Sequence, residues 1–159
     1  MKKLLHLLFL LPIVLLASCS NDDDLAKVDL TLTLSGVTQT EANGAFYVVS
    51  GDNITIEGVS VKPVGGTKEA AIANVMYYFG GVPLIGNPAN PFLGTFSTEG
   101  LVPGTYSLSL TADVFQVDKS ITQVATNYTV VIVDSVEDLP EGAPTIGTYS
   151  ATYTLDASK

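Results

Sequence analysis

The sequence lacks several residue types on which common protein chemistry depends. Its 159 residues include no tryptophan, and all seven basic residues are lysine because arginine is absent. The single histidine is His6 and the single cysteine is Cys19, so the rest of the chain has no imidazole for acid–base catalysis, no thiol and no ordinary zinc ligand. The formal net charge of -9 argues against binding to nucleic acid, because phosphate contacts need clustered basic residues.

The first eighteen residues have the features of a secretory signal. Two lysines precede an apolar run over 4–17, which is shorter than the roughly 20 residues needed to span a bilayer. The run ends in Leu16-Ala17-Ser18-Cys19, which resembles the lipobox of bacterial lipoproteins. This resemblance implies removal of residues 1–18 and lipidation of Cys19, with enough acyl chains for stable anchoring in a membrane.

A short acidic segment follows the cysteine, and we interpret residues 19–26 as the lipidated Cys19 and a flexible tether. It resembles the signal that sends some bacterial lipoproteins to the outer face of the cell, and its residues are Ser20, Asn21, Asp22, Asp23 and Asp24. The sequence therefore predicts an outer-membrane, lipid-anchored protein that faces the cell exterior. A solvated charge run in a protein that faces the periplasm is the alternative. In either position, the acidic domain is expected to be held away from an anionic surface.

Residues 27–133 show the period-two alternation of apolar and polar residues that is typical of β-strands. Gly80-Gly81 predicts a hairpin turn, and a slip in the alternation at Gly58 predicts a β-bulge. The only helix candidate covers residues 68–74. We therefore expect an all-β fold, an antiparallel β-sandwich of about seven to nine strands, with the acidic linker and C-terminal strand of 134–159 in the same domain.

The middle of the chain resembles the immunoglobulin-like domains of secreted and surface bacterial proteins. The similarity covers roughly residues 51–133 and depends on Val-Met-Tyr-Tyr-Phe-Gly-Gly at 75–81, Ile-Gly at 85–86 and Pro-Phe at 91–92. Glycine stands at position 80, where the pattern has aspartate. The resemblance implies an immunoglobulin-like sandwich. It also implies a tyrosine corner, in which a structural tyrosine bonds to backbone, formed by Leu101, Pro103, Gly104 and Tyr106.

The sequence offers few candidates for catalysis or metal binding. Without histidine, a pair of carboxylates such as Asp113 and Asp118 is the remaining route to hydrolysis, and we place both in or beside a loop with no pocket-forming insertion. The sequence therefore indicates a protein that is not an enzyme and has no cofactor, with a carboxylate-based hydrolase as the least favoured alternative. No metal site is predicted; four acids without a calcium-loop motif are weak calcium candidates beside a solvated linker, namely Asp134, Glu137, Asp138 and Glu141.

A candidate binding surface lies on the strand that ends at Phe79. Alternation along this strand points Met76 and Tyr78 outward, which is unusual for a face in contact with water. Either the C-terminal strand or a loop covers them, or they form a contact surface for a protein or a glycan. Asn87 and Asn90, in a loop stiffened by two prolines, would form a rim beside that surface.

The C-terminal run over 148–155 has strong β propensity. It either closes the chain's own sandwich as an edge strand or pairs with another chain, as in fimbrial assembly. The sequence as a whole predicts a cell-surface lipoprotein, anchored through its N-terminal lipid, with a non-catalytic immunoglobulin-like module for protein or glycan binding and adhesion. The alternative is a subunit of an assembly, or of the envelope structure, that uses the C-terminal strand.

Overall fold

The computed structural model describes residues 25–40, 44–65 and 67–156, and this part of the chain is built almost entirely of strands. Their bounds are β1 (Val28–Gln39), β2 (Phe46–Val49), β3 (Asn53–Pro63), β4 (Ala70–Phe79), β5 (Val82–Leu84), β6 (Gly94–Ser97), β7 (Gly104–Gln116), β8 (Thr122–Val133) and β9 (Gly147–Leu155). A 3-10 turn covers Val136–Asp138. Within the described ranges, the chain has no helix long and apolar enough to cross a membrane.

The helix considered for residues 68–74 is wrong. Ala70 opens β4, whose backbone pairs with β7 from Ala70 to Phe79. The alanines of this segment favour a helix locally, but pairing along a whole neighbouring strand outweighs a propensity of a few tenths of a kcal/mol per residue.

The strands form two hydrogen-bonded layers. One layer has the order β9-β1-β3-β6, and the other has the order β5-β4-β7-β8-β2. All pairs are antiparallel except β2 with β8, which is parallel. The predicted all-β sandwich is therefore confirmed, with a mixed sheet where the sequence predicted an antiparallel one.

Strand β1 joins the two layers. Its first part pairs with β3 and β9, whereas Thr38 and Gln39 pair with β2 in the other layer. Gly36 lies between the two parts, and a Cβ atom there would come within 2.3 Å of the carbonyl oxygen of Asn53. Its φ of 79° is also unfavourable for other residues. The point at which β1 passes from one layer to the other therefore needs glycine. In the second layer, β2 pairs with the end of β1 and lies parallel to β8.

The core fills the space between the layers. Leu30, Leu32 and Leu34 of β1 are fully buried, and they pack in one cluster with Leu108 and Leu110 of β7. Because the side chains of a strand alternate between its faces, the polar residues between these leucines stay on the outside. The alternation read in the sequence thus corresponds to inner and outer faces of both layers.

Two predicted irregularities of the strands are present. Phe79 pairs with Val82, so Gly80 and Gly81 form the hairpin turn between β4 and β5. At Gly58 the pairing of β1 with β3 shifts by one residue, which confirms the bulge. A Cβ atom at Gly58 would lie 2.9 Å from the carbonyl oxygen of Pro91, so this bulge is also where the β5–β6 loop packs against β3.

Candidate functional site

Met76 and Tyr78 point away from the core, as the alternation predicts. Met76 is 47% exposed and Tyr78 is half-buried, whereas Val75 and Tyr77 between and beside them are buried. The tyrosine hydroxyl reaches the methionine sulfur at 3.9 Å. The C-terminal strand does not cover this pair, because β9 pairs with β1 in the other layer.

The neighbours of this pair form an outer face that is almost free of charge. Met76 lies opposite Thr111 and Tyr78 lies opposite Ser109, and these β7 residues lie beside β8. Ser109 donates a hydrogen bond of 2.6 Å to the side-chain oxygen of Asn127. We call this surface the β4–β7–β8 face, and its residues are Asn74, Met76, Tyr78, Ser107, Ser109, Thr111, Asp113, Gln123, Ala125, Asn127 and Thr129.

The structure places Asn87 and Asn90 on a different surface. The side-chain oxygen of Asn87 accepts a hydrogen bond of 3.0 Å from the backbone N–H of Ala89, which closes a local turn. Asn90 lines a groove of about 250 Å³ between the edges of β3 and β4, and neither Met76 nor Tyr78 is among the groove's lining residues. The rim that we expected beside Met76 and Tyr78 is therefore not formed by these asparagines.

The loop that carries both asparagines is held by a buried tyrosine. Tyr77 donates a hydrogen bond of 2.6 Å from its hydroxyl to the carbonyl oxygen of Phe92, whose ring is also buried. The carbonyl of Pro91 accepts a bond of 3.0 Å from the N–H of Val59 in β3. Burial raises the pKa of Tyr77 well above the ordinary tyrosine value. The loop is thus bonded to β4 in one layer and to β3 in the other.

Tyr106 has the geometry of a tyrosine corner. Its hydroxyl donates a hydrogen bond of 2.7 Å to the carbonyl oxygen of Val102, four residues upstream. The ring is half-buried and stacks on Phe79, with ring centres 5.3 Å apart. Leu101, Pro103 and Gly104 form the turn that leads into β7. These contacts give the corner a structural role.

A second corner of the same geometry was missed in the sequence. The hydroxyl of Tyr149 donates a hydrogen bond of 2.6 Å to the carbonyl oxygen of Thr145, again four residues upstream. The sequence Gly-Thr-Tyr occurs both at 104–106 and at 147–149, each at the start of a strand. This repetition is the signal that could have revealed it.

The acidic candidates do not form a site. Asp113 lies within β7, and the prediction of a position in or beside a loop is wrong for it because β7 continues to Gln116. It accepts a hydrogen bond from Gln123, whereas Asp118 pairs with Lys68. Among the described residues, no three acidic, histidine or cysteine side chains converge to hold a metal ion. The weak calcium candidates are accordingly not gathered, and these are Asp134, Glu137, Asp138 and Glu141.

Two further predictions concern residues at the N-terminus. Cys19 and the segment from Ser20 to Asp24 lie outside the described residues, so lipidation and export remain predictions. The described chain begins at Leu25, three residues before the start of β1. The first described residue therefore lies at the end of the sandwich where β1 begins.

The C-terminal strand lies in the chain's own sheet. Residues 147–155 pair with β1 from Val28 to Val37, and hydroxyl pairs accompany the ladder, such as Thr31 with Thr152 at 2.8 Å. Tyr149 and Ala151 pack against the core but are only half-buried. β9 therefore covers one edge of β1 and forms the border of its layer.

Comparison with known proteins gives little further information. No protein family model matches this chain, and no curated protein matches it. The chain is similar to a solved structure described as "Structures of Clostridium thermocellum CbhA fibronectin(III)-like modules", with 16% sequence identity and a TM-score of 0.39. The match covers 65% of this chain and 47% of the other, so this chain spans about half of that structure.

Proposed function

We propose that this chain is a lipid-anchored cell-surface protein whose immunoglobulin-like sandwich binds a partner without catalysis. The binding surface is the β4–β7–β8 face. The observation that carries the proposal is the outward position of Met76 and Tyr78 on a face whose only charged side chain is that of Asp113. An aromatic ring and a thioether that are exposed side by side are more typical of binding surfaces than of sheet faces that contact only solvent.

The chemistry of this face fits a glycan chain best. A tyrosine ring presents an apolar surface with a polar end, against which the C–H groups of a sugar can pack. Ser109, Thr111 and Asn127 lie beside the ring on neighbouring strands and offer hydroxyl and amide groups to sugar hydroxyls. Within the β4–β7–β8 face, the lack of lysine gives an acidic ligand no counter-charge. A protein partner is the other occupant that the experiment distinguishes.

The binding experiment uses the double variant Met76→Ala/Tyr78→Ala. The mature chain is screened against a glycan array and, in parallel, used to capture proteins from the medium and from neighbouring cells. The double variant should lose at least about tenfold in affinity, because the two side chains supply most of the apolar contact area on this face. Its melting temperature should fall by only a few degrees, since Met76 is 47% exposed and Tyr78, although half-buried, points away from the core.

A matched control is available in Val136, which is 61% exposed on the 3-10 turn outside this face. Val136→Ala should bind like the unmodified chain. Equal binding by the double variant and by Val136→Ala would contradict the proposed surface. Capture of a protein that depends on Tyr78, with no response on the glycan array, would assign the face to a protein partner.

The anchor is tested separately in cells. Metabolic labelling with a palmitate analogue should mark the chain, and Cys19→Ala should abolish the label. Protease added to intact cells should remove the domain if it faces the exterior. Protection in intact cells with digestion after lysis would instead place the domain in the periplasm.

A second candidate function, assembly through the C-terminal strand, is favoured by one observation. β9 lies at the border of its layer and carries no charged residue between Gly147 and Leu155, whereas exposed edges are commonly protected by charge. Sedimentation of the mature chain tests it. An oligomer that Ser150→Lys/Thr152→Lys dissociates would support assembly; a monomer at all concentrations would exclude it.

A further inference from the structure

The chain enters the sandwich beside the turn between β7 and β8. The backbone N–H of Ala26 donates a hydrogen bond of 2.9 Å to the hydroxyl of Thr122, the first residue of β8. The N–H of Lys27 donates one of 2.8 Å to the side-chain oxygen of Gln116, the last residue of β7. The described chain therefore begins beside this turn. We call residues 115–121 the β7–β8 tip.

The β7–β8 tip exposes three large apolar side chains within seven residues. Phe115 is 45% exposed, Val117 is 53% exposed and Ile121 is 63% exposed. Exposed apolar residues scattered singly are ordinary, but three on one projecting turn form a patch. Leu25, where the described chain begins, is exposed at the same end.

The lysines of the described residues gather at the same end. Lys119 lies in the tip, Lys68 pairs with Asp118 of the tip, and the backbone of Lys27 is bonded to Gln116. Lys62 lies opposite Asp29, one position from the start of β1. These four lysines are accompanied at this end by Asp29, Glu69, Asp113, Asp118 and Asp156.

The rest of the described chain carries acids and no lysine. Its acids are Asp52, Glu57, Glu99, Asp134, Glu137, Asp138 and Glu141. The β7–β8 end is therefore the only part of the described domain where lysines offset acidic residues, although Asp22, Asp23 and Asp24 precede Leu25 in the sequence. Repulsion from an anionic surface acts most strongly on the remainder of the described domain, which has no lysine, and this favours turning the β7–β8 end toward the surface.

The length of the tether brings this end to the membrane. Five residues lie between Cys19 and Leu25, so the lipid-bearing cysteine is at most about 20 Å from Leu25 even in an extended chain. A patch with both lysine and apolar side chains is suited to the boundary between headgroups and acyl chains, where the ammonium groups stay at the phosphates.

We infer that the β7–β8 tip docks into the phospholipid surface to which Cys19 is tethered, with Phe115, Val117 and Ile121 entering the headgroup boundary. This inference depends on the proposed lipid anchor for its geometry. It revises the expectation that negative charge holds the whole domain off the surface. Docking leaves the opposite end, where Val102 and the β4–β5 hairpin lie, directed away from the membrane.

The experiment exploits the absence of tryptophan and the single cysteine. The chain from Cys19 onward, which contains every described residue, is coupled at Cys19 to a maleimide lipid in vesicles of phosphatidylethanolamine and phosphatidylglycerol. Val117→Trp places a fluorophore in the tip, and Val102→Trp places a matched one at the opposite end, where Val102 is 74% exposed. Melting temperatures before coupling verify that both variants fold.

Brominated acyl chains should quench the tryptophan at 117 at least about threefold more than the one at 102, because quenching needs contact with the acyl boundary. Adding Phe115→Ser and Ile121→Ser to Val117→Trp should remove most of that difference. Equal quenching at 117 and 102, or none at either, would overturn the docking. Because the lipid is attached chemically, this result does not depend on whether cells lipidate Cys19, which palmitate labelling tests on its own.

Discussion

Gln116 is the side chain whose replacement most directly tests how the start of the described chain is held against the sandwich. It is 5% exposed, and its side-chain oxygen accepts a hydrogen bond of 2.8 Å from the N–H of Lys27. Its amide nitrogen donates to the carbonyl of Lys68 at 2.8 Å and lies within 3.2 Å of the carbonyl of Lys27. The hydroxyl of Thr67 lies 3.1 Å from the same nitrogen. One side chain thus binds β7 to the start of β1 and to the β3–β4 loop.

Gln116→Leu keeps the approximate volume and removes every one of these hydrogen bonds. An amide nitrogen has two hydrogens, so about three bonds are lost, each worth about 1 kcal/mol net, and the N–H of Lys27 is left without its partner. We expect a loss of about 3 kcal/mol in the free energy of unfolding. For a domain of this size that corresponds to a melting temperature lower by about 10 °C.

The assay is thermal unfolding followed by circular dichroism, with Gln123→Leu as the matched control. Gln123 is an exposed glutamine on β8 whose one hydrogen bond, of 3.2 Å, goes to Asp113 at the surface. Its replacement should change stability by less than about 0.5 kcal/mol. If Gln116→Leu melts within about 2 °C of the unmodified chain, the four contacts do not hold the start of β1 and the β3–β4 loop to β7, and the reasoning fails.

Three further predictions concern the sandwich itself. Tyr106→Phe should lower stability by about 1 kcal/mol in urea unfolding, because it removes the bond to the carbonyl of Val102; an unchanged midpoint would contradict the structural role of the corner. Gly36→Ala should cost more than about 2 kcal/mol, since the new Cβ meets a backbone oxygen and the φ is positive; normal expression and melting would refute the tight switch in β1. Burial raises the pKa of Tyr77 and of Tyr128, so their contribution to stability is present below the unfolded value of about 10 and is lost as pH rises above it. Urea midpoints measured on both sides of that pH should show the decline, and constant midpoints would contradict it.

Much of the fold could be predicted from local pattern. The alternation around Leu30 and Leu108 predicts strands with one buried face, and burial of both residues confirms it. The slip at Gly58 and the paired glycines after Phe79 predict a bulge and a turn because each needs a specific backbone geometry. The helix considered for residues 68–74 was wrong because the alanines have only a weak local preference for helix, which strand pairing with β7 overrides.

The candidate surface was predictable only in part. Alternation alone placed Met76 and Tyr78 outside, because the direction of a side chain on a strand depends on its parity. The position of Asn90 could not be predicted from alternation, because Asn90 lies in a loop. Its loop leaves β5, crosses to the other layer and is held there by Tyr77 and by the N–H of Val59, contacts that no local pattern encodes.

The sequence by itself determined the strand-rich character of the domain, the outward position of Met76 and the signals predicted at the N-terminus, because each depends on residue type and short-range spacing. Only the tertiary structure decided which strands are neighbours. It brought Ala26 to Thr122, 96 residues away along the chain, and it brought Lys68 to Asp118 of the β7–β8 tip. Such contacts depend on the order of strands in the two layers, and that order results from packing of the whole core.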